Sequence, residues 1–155
     1  MRSGLRHVRV GAWVRTNATP QFSGDRPGTG FELCEIAHGV TENFRWNGGG
    51  EPAVWSYAQR HGTRGGLENE HPTPKPIDLL VRLVRDFTDP GETVVDPYAG
   101  SGTTGVACKR LGRQCVLVER DAVFCDLIAR RLAVTEPDEA WQQSRRRAKQ
   151  QRLGF

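Results

Sequence analysis

Apolar and polar residues alternate over RHVRVGAWV (residues 6–14) closely enough to predict a strand that begins almost at the first residue. A loop dense in Thr, Asn, Pro and Gly follows (16–30), then a second strand, FELCEIAHG (31–39). From 41 to about 69 the pattern has no period. This stretch holds Asn47-Gly48-Gly49-Gly50 with Trp46, Trp55 and Tyr57, and it predicts a long irregular segment of the kind that carries function. HPTPKP (71–76) cannot be helical, because its prolines fix the backbone and remove donors.

Beyond it the pattern sharpens. PIDLLVRLVRDF places Ile77, Leu80, Val81, Val84 and Phe87 on one helical face, and Pro90-Gly91 stops that helix. ETVVDPY reads as a short buried strand, GTTGVACKRLG as a helix closed by Gly112, and QCVLVERD as a second buried strand. DAVFCDLIARRLAV reads as an amphipathic helix with Asp121 as N-cap. Strand, helix, strand, helix at this spacing predicts a βαβα unit, hence an α/β fold with a parallel sheet and helices packed on it.

A chain of 155 residues and 17.3 kDa is expected to form one domain with a modest core. No stretch approaches the roughly 20 apolar residues needed to span a bilayer, and no apolar signal-peptide core follows Met1, so a cytoplasmic protein without a membrane partner is expected. Cys34, Cys108, Cys115 and Cys125 include no C-x-x-C pair, and His7, His38, His61 and His71 show no metal spacing. Buried, reduced thiols and no metal site are expected. Net charge is +4, from 22 basic and 18 acidic residues. Residues 140–155 hold Arg145, Arg146, Arg147, Lys149 and Arg152 and no acid, and the rest of the chain carries one acid in excess. The basicity belongs to a C-terminal tail (136–155), which suits a solvated end or non-specific phosphate contacts.

In VVDPYAGSGTTG (94–105), Gly100, Gly102 and Gly105 fit G-x-G-x-x-G, with a predicted strand before and a helix after. A Walker-type phosphate loop is excluded, since no Gly-Lys-Ser/Thr follows. A dinucleotide and S-adenosylmethionine (AdoMet) remain, beside the plainer reading that the glycines serve strand–helix packing and Asp96 caps the turn. Asp96 ends the first strand, where it would repel a diphosphate at the helix start but suit the sulfonium and ammonium of AdoMet. Glu119, ending the second strand, suits two ribose hydroxyls, a need shared with NAD.

DPYAGSGTTG, with HPTPKP about 20 residues before it, resembles the cofactor motifs of the amino-group DNA methyltransferases, which modify N6 of adenine or N4 of cytosine. The stretch GAWVRTNATPQFSGDRPGTGFELCEIAHG resembles the strand, loop and strand that precede their target-recognition region, so the likeness covers roughly residues 5–133. The resemblance implies a Rossmann-like AdoMet-dependent methyltransferase fold over residues 1–135 and double-stranded DNA as partner. Asp96, Pro97, Tyr98, Gly100, Ser101, Gly102 and Thr103 would hold the cofactor, Glu119 its ribose, and Thr73, Lys75 and Pro76 its carboxylate end. The loops at 16–30 and 41–70 would face DNA.

The family's catalytic motif, D/N/S-P-P-Y/F/W, is absent from the 155 residues. Asp96-Pro97-Tyr98-Ala99 is a near match only, and no catalytic residue is assigned. In the permuted motif order of this class that motif precedes the part seen here, along with the central strands of the sheet. The chain is therefore expected to be a C-terminal portion of such an enzyme, inactive alone: the product of a truncated gene or a late start codon, or one half of a split enzyme whose complementing chain carries the motif. The alternatives are a non-enzymatic DNA- or protein-binding remnant and an NAD-type module.

Overall fold

The computed structural model describes residues 4–41, 43–59 and 74–141. Strand β1 (Leu5–Val14) pairs antiparallel with β2 (Phe31–Gly39), from Leu5 opposite Gly39 to Val14 opposite Phe31, with an irregularity between His7 and Arg9. A short strand β3 (Val54–Ser56) joins the other edge of β1 in parallel, so the order is β2-β1-β3. After helix α1 (Ile77–Phe87), strand β4 (Thr93–Asp96), helix α2 (Thr103–Leu111), strand β5 (Gln114–Leu117) and helix α3 (Ala122–Val134) follow. β4 and β5 form a parallel pair in a sheet of their own. The βαβα unit expected from the sequence is present, and Asp121 caps α3 by accepting from the Val123 amide.

Helix α1 joins the two halves, because it is apolar on two sides. Ile77 and Val84 pack with Val106, Cys108 and Leu111 of α2. Leu79, with Leu83 and Phe87, packs instead against Trp13 and Trp55 of the three-stranded sheet. The single stripe read from the sequence is thus two faces, with Phe87 on the second and Leu79 added to it. Asp86 is buried in the same helix, 1% exposed, held by Arg82 and by Arg85 Nε at 2.9 Å.

Three further expectations are corrected. β4 and β5 are covered on one face only: Val94 and Cys115 pack against the core, whereas Val95 and Val116 are 62% and 50% exposed. Of the four free cysteines, Cys108 alone is buried and Cys125 is exposed. The described part of the segment 41–70 is not wholly irregular. It contains β3, and its Asn47 ties it to the C-terminal end of α1, the amide donating to Asp86 O at 2.6 Å and Nδ2 to Thr88 O at 3.0 Å. Its later part runs toward the other end, where Gln59 N donates to Asn17 Oδ1 at 2.8 Å. Residues 60–73 and the basic tail from 142 lie outside the described residues.

A candidate cofactor site at the strand ends

β4 ends in Asp96, and the chain must then reverse into α2. Asp96 organises that reversal: Oδ1 accepts from the Tyr98 amide at 3.1 Å and Oδ2 from Thr104 Oγ1 at 2.6 Å. The Ala99 amide donates to Val118 O at 3.0 Å, tying the turn to the end of β5. Gly102 is the N-cap of α2 with φ +77°, and a Cβ there would lie 2.8 Å from Ile128 Cγ1. At Gly105 a Cβ would meet Leu117 Cδ1 at 2.6 Å, so this glycine lets α2 approach β5. Gly100 also takes a left-handed φ, +52°, so turn geometry and close packing account for all three glycines.

The turn walls a cavity of about 210 Å³, whose other side is Pro74, Lys75 and Leu80. The two motifs singled out in the sequence therefore meet across one space at the start of α1. Asp96, Tyr98, Gly100, Ser101 and Thr103 line it, and Tyr98, 90% exposed, stands at its mouth. Pro97 and Gly102 shape the turn without lining the cavity. Pro76 is the buried N-cap of α1, and Pro74 takes the wall position expected of it. Lys75 Nζ reaches Glu32 Oε2 at 2.6 Å and lies 5.2 Å from the Trp13 ring, which fixes the ammonium between sheet and cavity. Thr73 lies outside the described residues.

Glu119 is behind the turn rather than in the cavity wall. Its Oε2 accepts from the Gly100 amide at 2.8 Å, and Oε1 accepts from the Arg120 and Asp121 amides at 2.8 and 2.9 Å. The Asp121 amide first, then that of Gly100, holds the carboxyl below its ordinary pKa, so it is a carboxylate at neutral pH. Three donors leave one side of this carboxylate for a further hydroxyl.

A larger cavity of about 370 Å³ lies at the Phe87 end of α1, among Ile36, Phe44, Trp46, Ala53 and Phe87. Its walls are mostly aliphatic and aromatic but include Arg9, Glu51 and the turn at Gly49 (φ +62°), and the 11-residue α1 runs between the two cavities. The denser set of polar side chains, Lys75, Asp96, Ser101, Thr103 and Thr104, lines the smaller one.

Sequence reasoning missed Leu80, Thr104 and Arg131. Leu80 sits one turn into α1 and Thr104 is the second residue of α2, so both follow from the motifs once those helices are placed. Arg131 Nη1 donates to Ser101 O at 2.5 Å from a site 8% exposed. In the sequence it is one of a basic pair near a helix end, where solvent exposure is the ordinary reading.

A parallel strand pair with a glycine turn at the carboxyl end of its first strand, and an acid two residues beyond its second, is the arrangement of a Rossmann-like α/β fold. A family model described as DNA methylase, of the N6/N4 type, matches residues 37–130, more than half of the chain. The chain belongs to this family. It is 30% identical over 140 residues to the type II methyltransferase M.HinfI of Haemophilus influenzae, covering 81% of this chain and 39% of that protein. To the type II methyltransferase M2.DpnII of Streptococcus pneumoniae it is 41% identical over 63 residues, 41% of this chain and 24% of that one. Among solved structures, the M1.HpyAVI–SAM complex superposes with a TM-score of 0.72 at 25% identity, covering 83% of this chain and 63% of that one. The PvuII cytosine-N4-specific DNA methyltransferase has the same fold, with a TM-score of 0.65 at 19% identity over 79% of this chain and 50% of that one. The chain thus spans between about a quarter and two fifths of these curated relatives.

Proposed function

We propose that this chain is the cofactor-holding and DNA-facing part of an AdoMet-dependent DNA methyltransferase acting on an exocyclic amino group of adenine or cytosine. The observation that carries the reading is the cavity in which Pro74 and Lys75 meet the Asp96–Thr104 turn. When bound, AdoMet supplies a methyl group on a sulfonium. The residues fit that molecule: Asp96 offers a carboxylate to a cationic ligand, the α2 start and Lys75 suit its carboxylate, and Glu119 suits ribose hydroxyls. A diphosphate would meet Asp96 instead, which disfavours the NAD-type alternative. The chain's task is to hold and orient the methyl donor, which lowers the entropic part of the barrier.

Methylation additionally needs the D/N/S-P-P-Y/F/W segment, which these 155 residues do not contain. In this reading that segment comes from a complementing polypeptide, and DNA is engaged at the cofactor end of the molecule, where the 16–30 loop lies. Calorimetric titration with AdoMet and with NADH tests the ligand, with AdoMet binding and no NADH binding expected. Tight NADH binding without AdoMet would overturn the assignment, and binding of neither would favour the non-enzymatic remnant. Incorporation of labelled methyl groups into DNA by the purified chain alone is expected to be nil.

A further inference from the structure

We propose that Arg131 of α3 is a positioning residue that sets the Asp96–Thr104 turn in its ligand-holding form from the side away from the cavity. The proposal rests on the AdoMet reading and names a residue of that same site. Ser101 and Thr103 line the cavity and are themselves buried. The peptide plane between Ser101 and Gly102 is anchored at both ends. Its carbonyl oxygen accepts from Arg131 Nη1 at 2.5 Å, and its N–H donates to Ala99 O at 2.7 Å. Because a peptide unit is rigid, fixing both ends fixes the orientation of the residues on either side. The same Nη1 lies 3.4 Å from Thr103 Oγ1, and Thr103 Oγ1 lies 3.3 Å from Ser101 Oγ. Arg131 therefore touches the main chain of one cavity residue and the hydroxyl of the other.

Ile128, one turn earlier on α3, packs beneath Gly102, so the helix offers an apolar seat and a charged donor to one turn. The turn needs such support. Gly100 and Gly102 both take left-handed φ, at +52° and +77°, and glycines leave many other conformations open. Guanidinium suits the task because it stays charged when buried and presents several donors in a fixed plane.

The test titrates the full 155-residue wild type, Arg131→Lys and Arg131→Met with AdoMet and with 5′-methylthioadenosine, which lacks the amino-acid end. A lysine keeps the charge but loses the fork. Losing a charged hydrogen bond to the turn is expected to weaken AdoMet about ten-fold or more. The thioadenosine, which does not reach the Lys75 side of the cavity, should change by less than about three-fold, within the range of an ordinary remote substitution. Unchanged AdoMet affinity in both variants would overturn the proposal, and so would equal losses for the two ligands, which denote general loss of structure. Should neither variant fold, amide exchange at Gly102 in the ligand-free wild type decides. Slow exchange is expected of a plane already anchored, and rapid exchange would overturn it. A wild type that binds neither ligand would instead overturn the AdoMet reading, leaving the exchange measurement to judge Arg131.

Discussion

Glu119 shows how much one side chain does when the backbone around it is a turn. Its carboxylate gathers the amides of Gly100, Arg120 and Asp121, and those donors hold its pKa below the ordinary glutamate range. A folded pKa below the unfolded value of about 4.3 means that the folded state favours the ionised form. The contribution to stability is complete above that unfolded value and disappears as pH falls through the lowered folded one. Urea unfolding at a series of pH values below 5 is therefore expected to show a loss in the wild type that Glu119→Gln lacks; parallel profiles would contradict it. The thiols separate in the same local way. Burial first, and the neighbouring Cys115 next, push Cys108 up to about 12, and burial raises Cys34 and Cys115 as well. Cys125 is exposed on α3. Burial withholds thiolate from the other three and Cys125 is accessible, so maleimide labelling of the native protein at pH 7.5 is expected to modify Cys125 first and Cys108 only on unfolding, as mass spectrometry of peptides would show.

Among the elements, α1 was legible in its extent and in the residues facing α2, because 3.6-residue periodicity is strong over Ile77–Phe87. Its second face was not. A helix covered on two sides has no single stripe, and Leu79 and Asp86 look solvent-directed in a one-face reading. Only the position of Trp13 and Trp55, brought there by strands far away in sequence, buries that side. The glycine turn was legible for the opposite reason, since its residues are consecutive and each glycine meets a local requirement. Arg131 and Pro74 depend on which helix packs where, and so were read only from the structure. The buried Asp86 gives the element its testable consequence. Its carboxylate is shared by Arg82 and Arg85, while Asn47 fastens the loop to the same residue's carbonyl. Replacing it with alanine leaves two guanidinium groups beside a vacated polar site. The expected cost is about 3 kcal/mol, the lower range for breaking a buried pair, because both arginines keep some contact with water. Asp86→Asn, which keeps an acceptor, should lose less. Denaturant midpoints at constant m-value check both.

At the scale of the whole molecule, β4 and β5 read as buried because parallel strands are apolar on both faces, and the sequence pattern anticipates two covering layers. The structure supplies one. α1 and α2 cover Val94 and Cys115, whereas Val95, Val116 and Val118 face outward. The three-stranded sheet repeats the arrangement: Trp13 and Trp55 point toward α1, and Phe31, Leu33 and Val54 point away, with Leu33 68% exposed. Each sheet thus carries an apolar face that none of the described residues covers. Neither face stabilises the fold in its present form, yet each is a surface for association. Leu33→Lys combined with Val116→Lys should therefore leave the melting temperature nearly unchanged, since exposed substitutions stay within about 0.5 kcal/mol. The wild type is expected to self-associate as concentration rises in sedimentation velocity, and the double variant to remain monomeric over the same range. Equal sedimentation at all concentrations would show that the apolar faces are too divided to bind anything. A large drop in melting temperature would show that one of them is covered in solution. The cavity at Asp96 faces neither substitution, so AdoMet affinity should be the same in the double variant and the wild type, separating association from cofactor holding in one experiment.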